Sequence, residues 1–317
     1  MANNSNKNNY VVLKVDDETH KKMINFYKEF ARNKQIPYVA MQAVNEDVVI
    51  TIYEKNKKGE NKVMFQGTGA DIEASVWAME KTVIETSKKE KQIDYSKYYN
   101  CSSIGSDEVG TGDYFGPIVV TSCYVNKKDI PLLESLGIRD SKKMNDEKIL
   151  KVAPAIAKAI KYKSIILSNK EYNEKYNNVD NNINKIKAIM HNKALWKMVH
   201  EEDLEYDYII VDEFAREARY YDYIKDSTNI QKGITFMTKA EDKNLAVACA
   251  SVISRYIFIK EFDKMCDELH IPLPKGAGSQ VDEAGKEVVE TYGKEKLEDV
   301  AKLNFRNTQR ILGTLIY

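Results

Sequence analysis

Three acidic residues stand at the ends of short apolar segments, where the side chains of neighbouring strands can converge. Asp107 and Glu108 end the segment that begins at Ile104, and Asp212 ends the segment YIIVD. Carboxylates that are brought together repel one another, so each resists ionisation unless a cation compensates the charge. Carboxylate oxygens favour hard divalent ions. The pattern predicts a site for Mg²⁺ or Mn²⁺, although an isolated Asp-Glu pair is more often a solvated strand end.

A glycine-rich turn follows this acidic pair directly. Gly110, Thr111 and Gly112 precede Gly116 and the strand-like run PIVV. Glycine lets the backbone approach a bulky ligand closely, so the turn can bring a phosphate-bearing ligand beside a bound cation. Gly116 comes one residue too late for the dinucleotide fingerprint G-x-G-x-x-G, and a strand rather than a helix follows it. A plain tight turn is an equally good interpretation of this stretch by itself.

The bulk composition is that of a folded protein without an overall electrostatic preference. The 317 residues are 43% hydrophobic and 30% charged, and 48 basic residues balance 48 acidic ones. Any anion-binding surface must therefore come from local segregation of charge. Cysteine spacing argues against a zinc site or a disulfide framework, since no C-x-x-C pair occurs among Cys101, Cys123, Cys249 and Cys266.

The distribution of apolar residues bears on location. The N-terminus, MANNSNKNNY, is polar and lacks the apolar core of a signal peptide. No apolar run reaches the length of a membrane span. We therefore expect a cytoplasmic protein without a membrane partner. Separately, we expect it to act as a monomer.

The order of elements predicts two domains joined by a linker. Residues 1–90 favour the order β-α-β-β-β-α, which makes an antiparallel sheet with helices against one face. The charged, aperiodic stretch over 91–103 is typical of a linker. Over 104–317, strands alternate with helices, which indicates a mixed α/β layer fold.

Within these domains, three segments carry specific expectations. The first helix, capped by Asp16 or Asp17, has four apolar residues on one face: Met23, Phe26, Tyr27 and Phe30. The segment ADIEASVWAMEKTVIETS is predicted to form one second helix. The Asn-rich segment NKEYNEKYNNVDNN is predicted to form a loop.

Five motifs of the second domain resemble those of the type 2 ribonuclease H family. They are GSDEVGTGDYFGPIVVTSCYV, LGIRDSKKM, YIIVDEFA, KAEDKNLAVACASVISRY and AKLNFRNTQ. They are more similar to the ribonuclease HIII branch than to the ribonuclease HII branch, which has Arg between the two glycines where this chain has Thr111. By its order of elements, the first domain resembles the TATA-binding-protein-like domain of the HIII branch.

The resemblance implies a fold, an activity and a cofactor. The expected fold is an RNase H-like mixed sheet with flanking helices, preceded by an α+β TATA-binding-protein-like domain. The implied activity is endonucleolytic hydrolysis of the RNA strand of RNA–DNA hybrids. Two Mg²⁺ or Mn²⁺ ions would assist it, and the products would carry 5′-phosphate and 3′-hydroxyl ends.

The resemblance also implies four carboxylates that are catalytic and bind metal. Three map onto the strand ends described above, Asp107, Glu108 and Asp212. The fourth precedes the segment AVACASVISR, where spacing from Ala250 favours Glu241 and leaves Asp242 as the alternate. Either of these two residues could instead stabilise the start of a helix.

Substrate contacts are implied at two places. The turn Gly110-Thr111-Gly112 would read the 2′-hydroxyl that distinguishes RNA from DNA. Ser141 and Lys142 are candidates for phosphate contact, although such a lysine is more often a solvated charge. In the motif AKLNFRNTQ this chain has Asn304 where related proteins often have His, which leaves the role of that position open.

The first domain is the expected module for gripping the hybrid duplex. Its first third is rich in basic residues: Lys7, Lys14, Lys21, Lys22, Lys28, Arg32 and Lys34. Its predicted second helix is acidic instead, with Asp71, Glu73, Glu80 and Glu85. This segregation favours one cationic face, and a solvated helix face explains it equally well.

Two other functions compete with hybrid cleavage. One is a nuclease of the same superfamily that cuts at single-ribonucleotide junctions. The other is a hybrid-binding protein without catalysis, which the intact carboxylates Asp107, Glu108 and Asp212 disfavour.

Overall fold

The chain divides into two compact units, Met1–Ile93 and Asp94–Tyr317, in a computed structural model. The described residues are 10–32, 36–45, 48–56, 58–67, 69–77, 83–86, 96–178 and 182–313. Within these ranges, no helix is long and apolar enough to cross a membrane.

The first unit is built on one antiparallel sheet with the strand order β2-β3-β4-β1-β5. Its elements along the chain are β1 (Tyr10–Val15), α1 (Asp17–Tyr27), β2 (Val39–Asn45), β3 (Val48–Tyr53), β4 (Asn61–Gly67), α2 (Ala70–Ser75) and β5 (Val83–Thr86). The sheet confirms the expected antiparallel arrangement.

Helix α1 begins as its sequence predicts but buries a narrower face. The Asp16 side chain accepts the backbone N–H of Thr19 at 2.7 Å and so caps the helix. Met23 and Tyr27 are fully buried in the core of the unit. The other two residues of the predicted face are solvent-exposed, namely Phe26 and Phe30.

The prediction of a single second helix is wrong: among its described residues only 70–75 are helical, and residues 78–82 and 87 lie outside the described part of the chain. Helix α2 ends at Ser75, and Val83–Thr86 forms a strand instead. This strand pairs antiparallel with β1, so that Lys14 lies opposite Val83. The β-branched residues of the segment favour strand pairing, and β1 would otherwise leave its backbone donors and acceptors unpaired along that edge.

The second unit contains a mixed sheet with the strand order β10-β9-β6-β7-β8. Strands β10 and β6 pair parallel with β9, whereas β7 pairs antiparallel with both β6 and β8. Its elements are α3 (Ser96–Tyr99), β6 (Ser103–Val109), β7 (Ile118–Val125), α4 (Ile130–Ser135), α5 (Asp146–Ala159), β8 (Lys161–Leu167), α6 (Asn169–Asn178), α7 (Ile183–Glu201), β9 (Tyr208–Asp212), α8 (Glu217–Tyr223), β10 (Ile234–Met237), α9 (Leu245–Leu269), α10 (Ser279–Tyr292), α11 (Leu297–Val300) and α12 (Arg306–Gly313).

One sequence assignment in this unit differs from the structure. The stretch 91–103, predicted as a linker, includes the boundary between the two units and also contains α3 and the first residue of β6. Residues 169–178 of the Asn-rich segment predicted as a loop form helix α6, and residues 179–181 lie outside the described part of the chain. Ser168 and Glu171 cap this helix reciprocally, and the side chain of Asn173 accepts the backbone N–H of Leu303 at 3.0 Å. These contacts outweigh the low helix propensity of asparagine.

Helices α7 and α9 cover the two faces of the central strand β6. Ile104 packs in a core cluster with Ala188 of α7. The next residue, Gly105, faces α9, where a Cβ atom would lie only 2.4 Å from the backbone nitrogen of Val247. Because successive strand residues point to opposite faces, this contact fixes which face each later residue of β6 presents.

Candidate acidic active site

Asp107 lies near the end of β6 on the side covered by α9. Its carboxylate accepts the backbone N–H of Glu108 at 2.9 Å and a hydrogen bond from the Ser251 side chain. Ser254 donates to the Asp107 carbonyl at 3.1 Å. Burial, together with the charge of Glu108, raises the pKa of Asp107 well above its usual range. This carboxylate is therefore short of positive compensation.

Glu108 is engaged by α7 and has the opposite electrostatic environment. The Lys187 ammonium contacts Oε1, and the His191 ring donates from Nε2 to Oε2 at 2.9 Å. The other ring nitrogen of His191 contacts Ser106 Oγ at 2.7 Å. Burial would raise the pKa of Glu108, but Lys187 and His191 outweigh burial and hold it below its usual range.

Sequence reasoning missed Lys187 and His191. The signal was their spacing, because residues four apart lie on the same side of a helix, and most other buried residues of α7 are apolar. A buried lysine and a buried histidine in such a helix require polar partners, and Glu108 is the partner of both.

Asp212 ends β9, the parallel neighbour of β6, as the sequence predicts. Its Oδ1 accepts the backbone N–H of Ala240 at 2.9 Å. Burial raises the pKa of Asp212 despite this hydrogen bond, and the charges of Glu241 and Glu108 raise it further. Glu241 therefore acts electrostatically on Asp212, whereas Asp242, the next residue of the same turn, is solvent-exposed.

The carboxylates are chemically suited to bind a divalent metal ion, but they are not arranged as a complete set of metal ligands. Oxygen donors whose pKa values are raised by burial and by like charge, as at Asp107 and Asp212, suit a hard cation such as Mg²⁺ or Mn²⁺. Within the described ranges, however, no three His, Cys, Asp or Glu residues already form a group that could hold a metal ion. Glu108 instead has Lys187 as its cation.

The glycine turn after β6 contains glycines of two kinds. Gly110 adopts φ +91°, and a Cβ atom there would lie 2.2 Å from the Pro117 carbonyl oxygen, so only glycine fits. Gly112 is exposed, and a Cβ atom there would meet nothing within 4 Å. Thr111, between them, is half-buried. Gly110 thus shapes the turn, and Gly112 leaves its outer side open.

A buried lysine supports this turn from beneath. Lys302 is fully buried, and its ammonium donates to the carbonyl oxygens of Asp113 at 2.8 Å and Gly116 at 2.5 Å. Its backbone N–H donates to the Tyr114 carbonyl at 2.8 Å. Burial lowers the pKa of Lys302 to about 7. Although the motif AKLNFRNTQ pointed to this region, sequence reasoning did not single out Lys302.

The remaining candidates lie at two further places. Ser141 belongs to the 3₁₀ turn Ile138–Lys143 and lines a pocket of about 290 Å³ together with Glu108 and Ser251. Lys142 is in the same turn, and its side chain lies outside the described part of the structure. The Tyr172 hydroxyl donates to Asn304 Oδ1 at 3.0 Å, which gives Asn304 a structural partner in α6.

Comparisons with known protein families match both units of the chain. A model described as Ribonuclease HII matches residues 104–308, and a model described as Domain of unknown function (DUF3378) matches residues 10–92. The Ribonuclease HII model thus covers all four candidate carboxylates and the glycine turn.

Individual relatives match the chain over nearly its whole length. Ribonuclease HIII from Bacillus cereus (strain ATCC 14579) is 38% identical over 97% of this chain and 99% of that protein. The crystal structure of Bst-RNase HIII in complex with Mn²⁺ is 36% identical, with a TM-score of 0.69 over 97% of this chain and 99% of that one. The crystal structure of Aquifex aeolicus RNase H3 is 25% identical, with a TM-score of 0.53 over 92% of this chain and 99% of that one. These similarities confirm the expected fold class.

Lys302→Met should remove one pH dependence of stability. Because the pKa of Lys302 falls from 10.5 to about 7 on folding, the unfolded chain binds a proton between these pH values that the folded chain lacks. The free energy of unfolding therefore rises with pH between these two values, and this gain is lost as the pH falls towards 7. Raising the pH from about 7 to about 9 should therefore increase the free energy of unfolding of the parent protein by about 2 kcal/mol. Lys302→Met should lack this increase.

Denaturant unfolding of both proteins at the two pH values measures this difference. Lys294→Met, which removes an exposed lysine nearby in sequence, should keep the pH dependence of the parent. The same pH dependence in Lys302→Met as in the parent would contradict the interpretation.

Proposed function

The chain belongs to the ribonuclease HIII branch of the ribonuclease HII family, and from this premise we propose that it hydrolyses the RNA strand of RNA–DNA hybrids at internal positions. The reaction would use two Mg²⁺ or Mn²⁺ ions and leave 5′-phosphate and 3′-hydroxyl ends. The observation that carries the proposal is the partly buried acidic group near the ends of β6 and β9, within the matched family region.

We assign Asp107, Glu108, Asp212 and Glu241 to metal binding and catalysis, with Asp242 as the alternate fourth residue. When bound, the divalent ions would supply an activated water and stabilise the leaving 3′ oxygen. Glu108 would be oriented by His191, which is fixed in turn by Ser106. Asp212 would be oriented by the N–H of Ala240. These contacts support the assignment because they hold each carboxylate in one direction.

The glycine turn is assigned to ribose recognition. It begins two residues after Glu108, so a ribose bound at Gly112 would lie beside the scissile phosphate. The open space around Gly112 supports this role, because a sugar could approach the backbone there. Ser141 shares a pocket with Glu108, which supports a phosphate contact by Ser141 and its neighbour Lys142.

The first unit is assigned to binding the hybrid duplex. Lys7 and Lys34 lie outside the described residues, and the other basic residues do not form one face. Lys14 and Lys62 lie opposite each other on adjacent strands, with alternation placing them away from the core residues Leu13 and Val63. A second basic group is exposed, with Lys21 and Lys22 on α1 and Lys28 directly after its end. Lys14 also pairs with Glu60 at 3.3 Å, and Lys22 pairs with Glu18 at 2.6 Å.

Asp107→Asn and Asp212→Asn should each abolish cleavage while preserving the fold. We expect a loss of about 1000-fold or more, because the lost metal ligation is worth several kcal/mol in the transition state. Thermal stability without metal should stay equal or rise, because each substitution removes a buried charge whose ionisation burial disfavours. Cleavage of an end-labelled hybrid at saturating Mg²⁺ and thermal unfolding are the measurements.

Asp203→Asn, the same change at an exposed loop position, is the matched control and should cleave at the parent rate. Glu241→Gln should reduce cleavage more than Asp242→Asn does, and the opposite order would assign the fourth position to Asp242. Substantial cleavage by Asp107→Asn or Asp212→Asn would refute the proposed site.

Replacing a single ribose 2′-hydroxyl by hydrogen should depress cleavage only at nearby phosphates. An unmade hydrogen bond at a buried polar site costs roughly 1–3 kcal/mol, or about five- to 150-fold in rate. Gly112→Ala should have an effect of similar size by blocking the sugar, and its stability should be unchanged because the added methyl meets no protein atom. The measurement is a cleavage map along hybrids in which the 2′-deoxy position moves stepwise.

The same assay separates hybrid cleavage from cleavage at isolated ribonucleotides. Because Thr111 replaces the Arg of the sister branch, we expect poor cutting at one ribonucleotide in duplex DNA and good cutting within a run. A map that is insensitive to the deoxy position would exclude the turn from recognition. Equal rates on both substrates would favour the junction nuclease.

Charge removal in the first unit should identify the surface that binds phosphate. Each lost phosphate contact should lower the salt dependence of hybrid binding, d log K/d log[salt], by roughly 0.7 to 0.9. The double variants Lys14→Gln/Lys62→Gln and Lys21→Gln/Lys28→Gln test the sheet and the helix α1 separately in equilibrium binding at several salt concentrations. If neither variant changes affinity or salt dependence, these surfaces do not bind the hybrid.

A further inference from the structure

Lys187 is a buried cation inside the acidic site. Its side chain is only 11% exposed, and its ammonium contacts Glu108 Oε1 directly. The same ammonium lies 4.1 Å from the centroid of the Phe214 ring, which adds a favourable cation–π contact. Its charge also acts on Asp212, because it favours the ionised form of that carboxyl group. Lys187 therefore compensates negative charge on both β6 and β9.

The two oxygens of Glu108 have partners that differ in mobility. Oε2 accepts from His191, a fully buried ring held on its other side by Ser106. Oε1 contacts Lys187, whose ammonium ends a flexible four-carbon stem. An ion that approaches Glu108 can therefore replace Lys187 without disturbing His191, whereas the reverse would require the ring to move.

This pairing accounts for the present arrangement of the carboxylates. Glu108 is held on the α7 side of β6 by Lys187 and His191, while Asp107 is held on the α9 side by Ser251. With its partners split in this way, the described part of the site forms no group of three potential ligands. Release of Glu108 from Lys187 frees its Oε1 for a cation.

We propose that Lys187 is an internal counter-ion that competes with divalent metal for Glu108. In the metal-free protein its ammonium stabilises the buried carboxylates, and it moves off Oε1 when a divalent cation binds. Metal affinity is therefore weaker than the carboxylates alone would give, and stability without metal is higher. The inference rests on the proposed metal-dependent function, because it requires the cation to bind at this acidic site.

Lys187→Met tests the competition, since methionine keeps most of the apolar stem and removes only the charge. The variant should bind Mn²⁺ about tenfold more tightly than the parent, because the cation no longer has to displace an ammonium. Its melting temperature without metal should fall, because Glu108 loses its buried partner. Saturating Mn²⁺ should therefore raise the melting temperature more in this variant than in the parent.

The experiment uses the full chain, with MnCl₂ as the only ligand, in titration calorimetry and thermal unfolding. Lys193→Met is the matched control, because Lys193 is an exposed lysine on the same helix, and it should match the parent in both assays. Asp212→Asn should weaken Mn²⁺ binding and so show that the heat comes from the acidic site.

The outcomes separate this inference from the function on which it rests. Absence of Mn²⁺ binding by the parent would overturn the metal-dependent function itself. Unchanged or weaker Mn²⁺ binding by Lys187→Met, with normal binding by the parent, would overturn only the competition and leave Lys187 as a residue that orients Glu108.

A second variant covers the case in which Lys187→Met does not fold without metal. Lys187→Gln can still donate a hydrogen bond to Glu108 and should show the same tighter binding of Mn²⁺. If neither neutral variant folds without metal, folding of both in saturating Mn²⁺ would support the proposal, because the cation then replaces the ammonium. Failure to fold under both conditions would overturn it.

Discussion

The burial of negative charge at the ends of β6 and β9 is the constraint on which the second unit depends. Burial raises the pKa of Asp107 and Asp212, so both carboxyl groups resist ionisation in the protein alone. Three of the surrounding elements supply a hydrogen-bond donor or a cation that partly compensates this negative charge. Helix α7 supplies Lys187 and His191, helix α9 supplies Ser251, and the turn that follows β10 supplies the N–H of Ala240.

Close backbone packing makes these contacts specific. Because Gly105 has no side chain, α9 approaches β6 closely enough for Ser254 to reach the Asp107 carbonyl. Lys302 fixes the glycine turn through a similar long-range contact, because its ammonium donates to the carbonyl oxygens of Asp113 and Gly116. The acidic residues and the turn that follows them are therefore held in fixed relation to one another by long-range contacts on both sides.

The two faces of the sheet in the first unit differ in what covers them. One face is covered by α1 and by the core residues of the unit, whereas the other carries Lys14 and Lys62. The edge of the sheet is completed by β5, which the sequence pattern had assigned to a helix. A helix there would have left β1 as the edge strand, whereas the observed β5 gives β1 backbone partners on both sides.

The sequence by itself determined the family, the strand ends that carry Asp107, Glu108 and Asp212, and the turn that follows the first pair, because these depend on residue type and short spacing. Tertiary structure alone decided what surrounds them. His191 lies 83 residues from Glu108, and Lys302 lies 189 residues from Asp113. No local pattern encodes such partners, since burial and hydrogen bonding between distant segments exist only once the sheet and helices have packed. For the same reason, propensity misassigned α6 and β5, whose conformations are set by contacts from elsewhere in the chain.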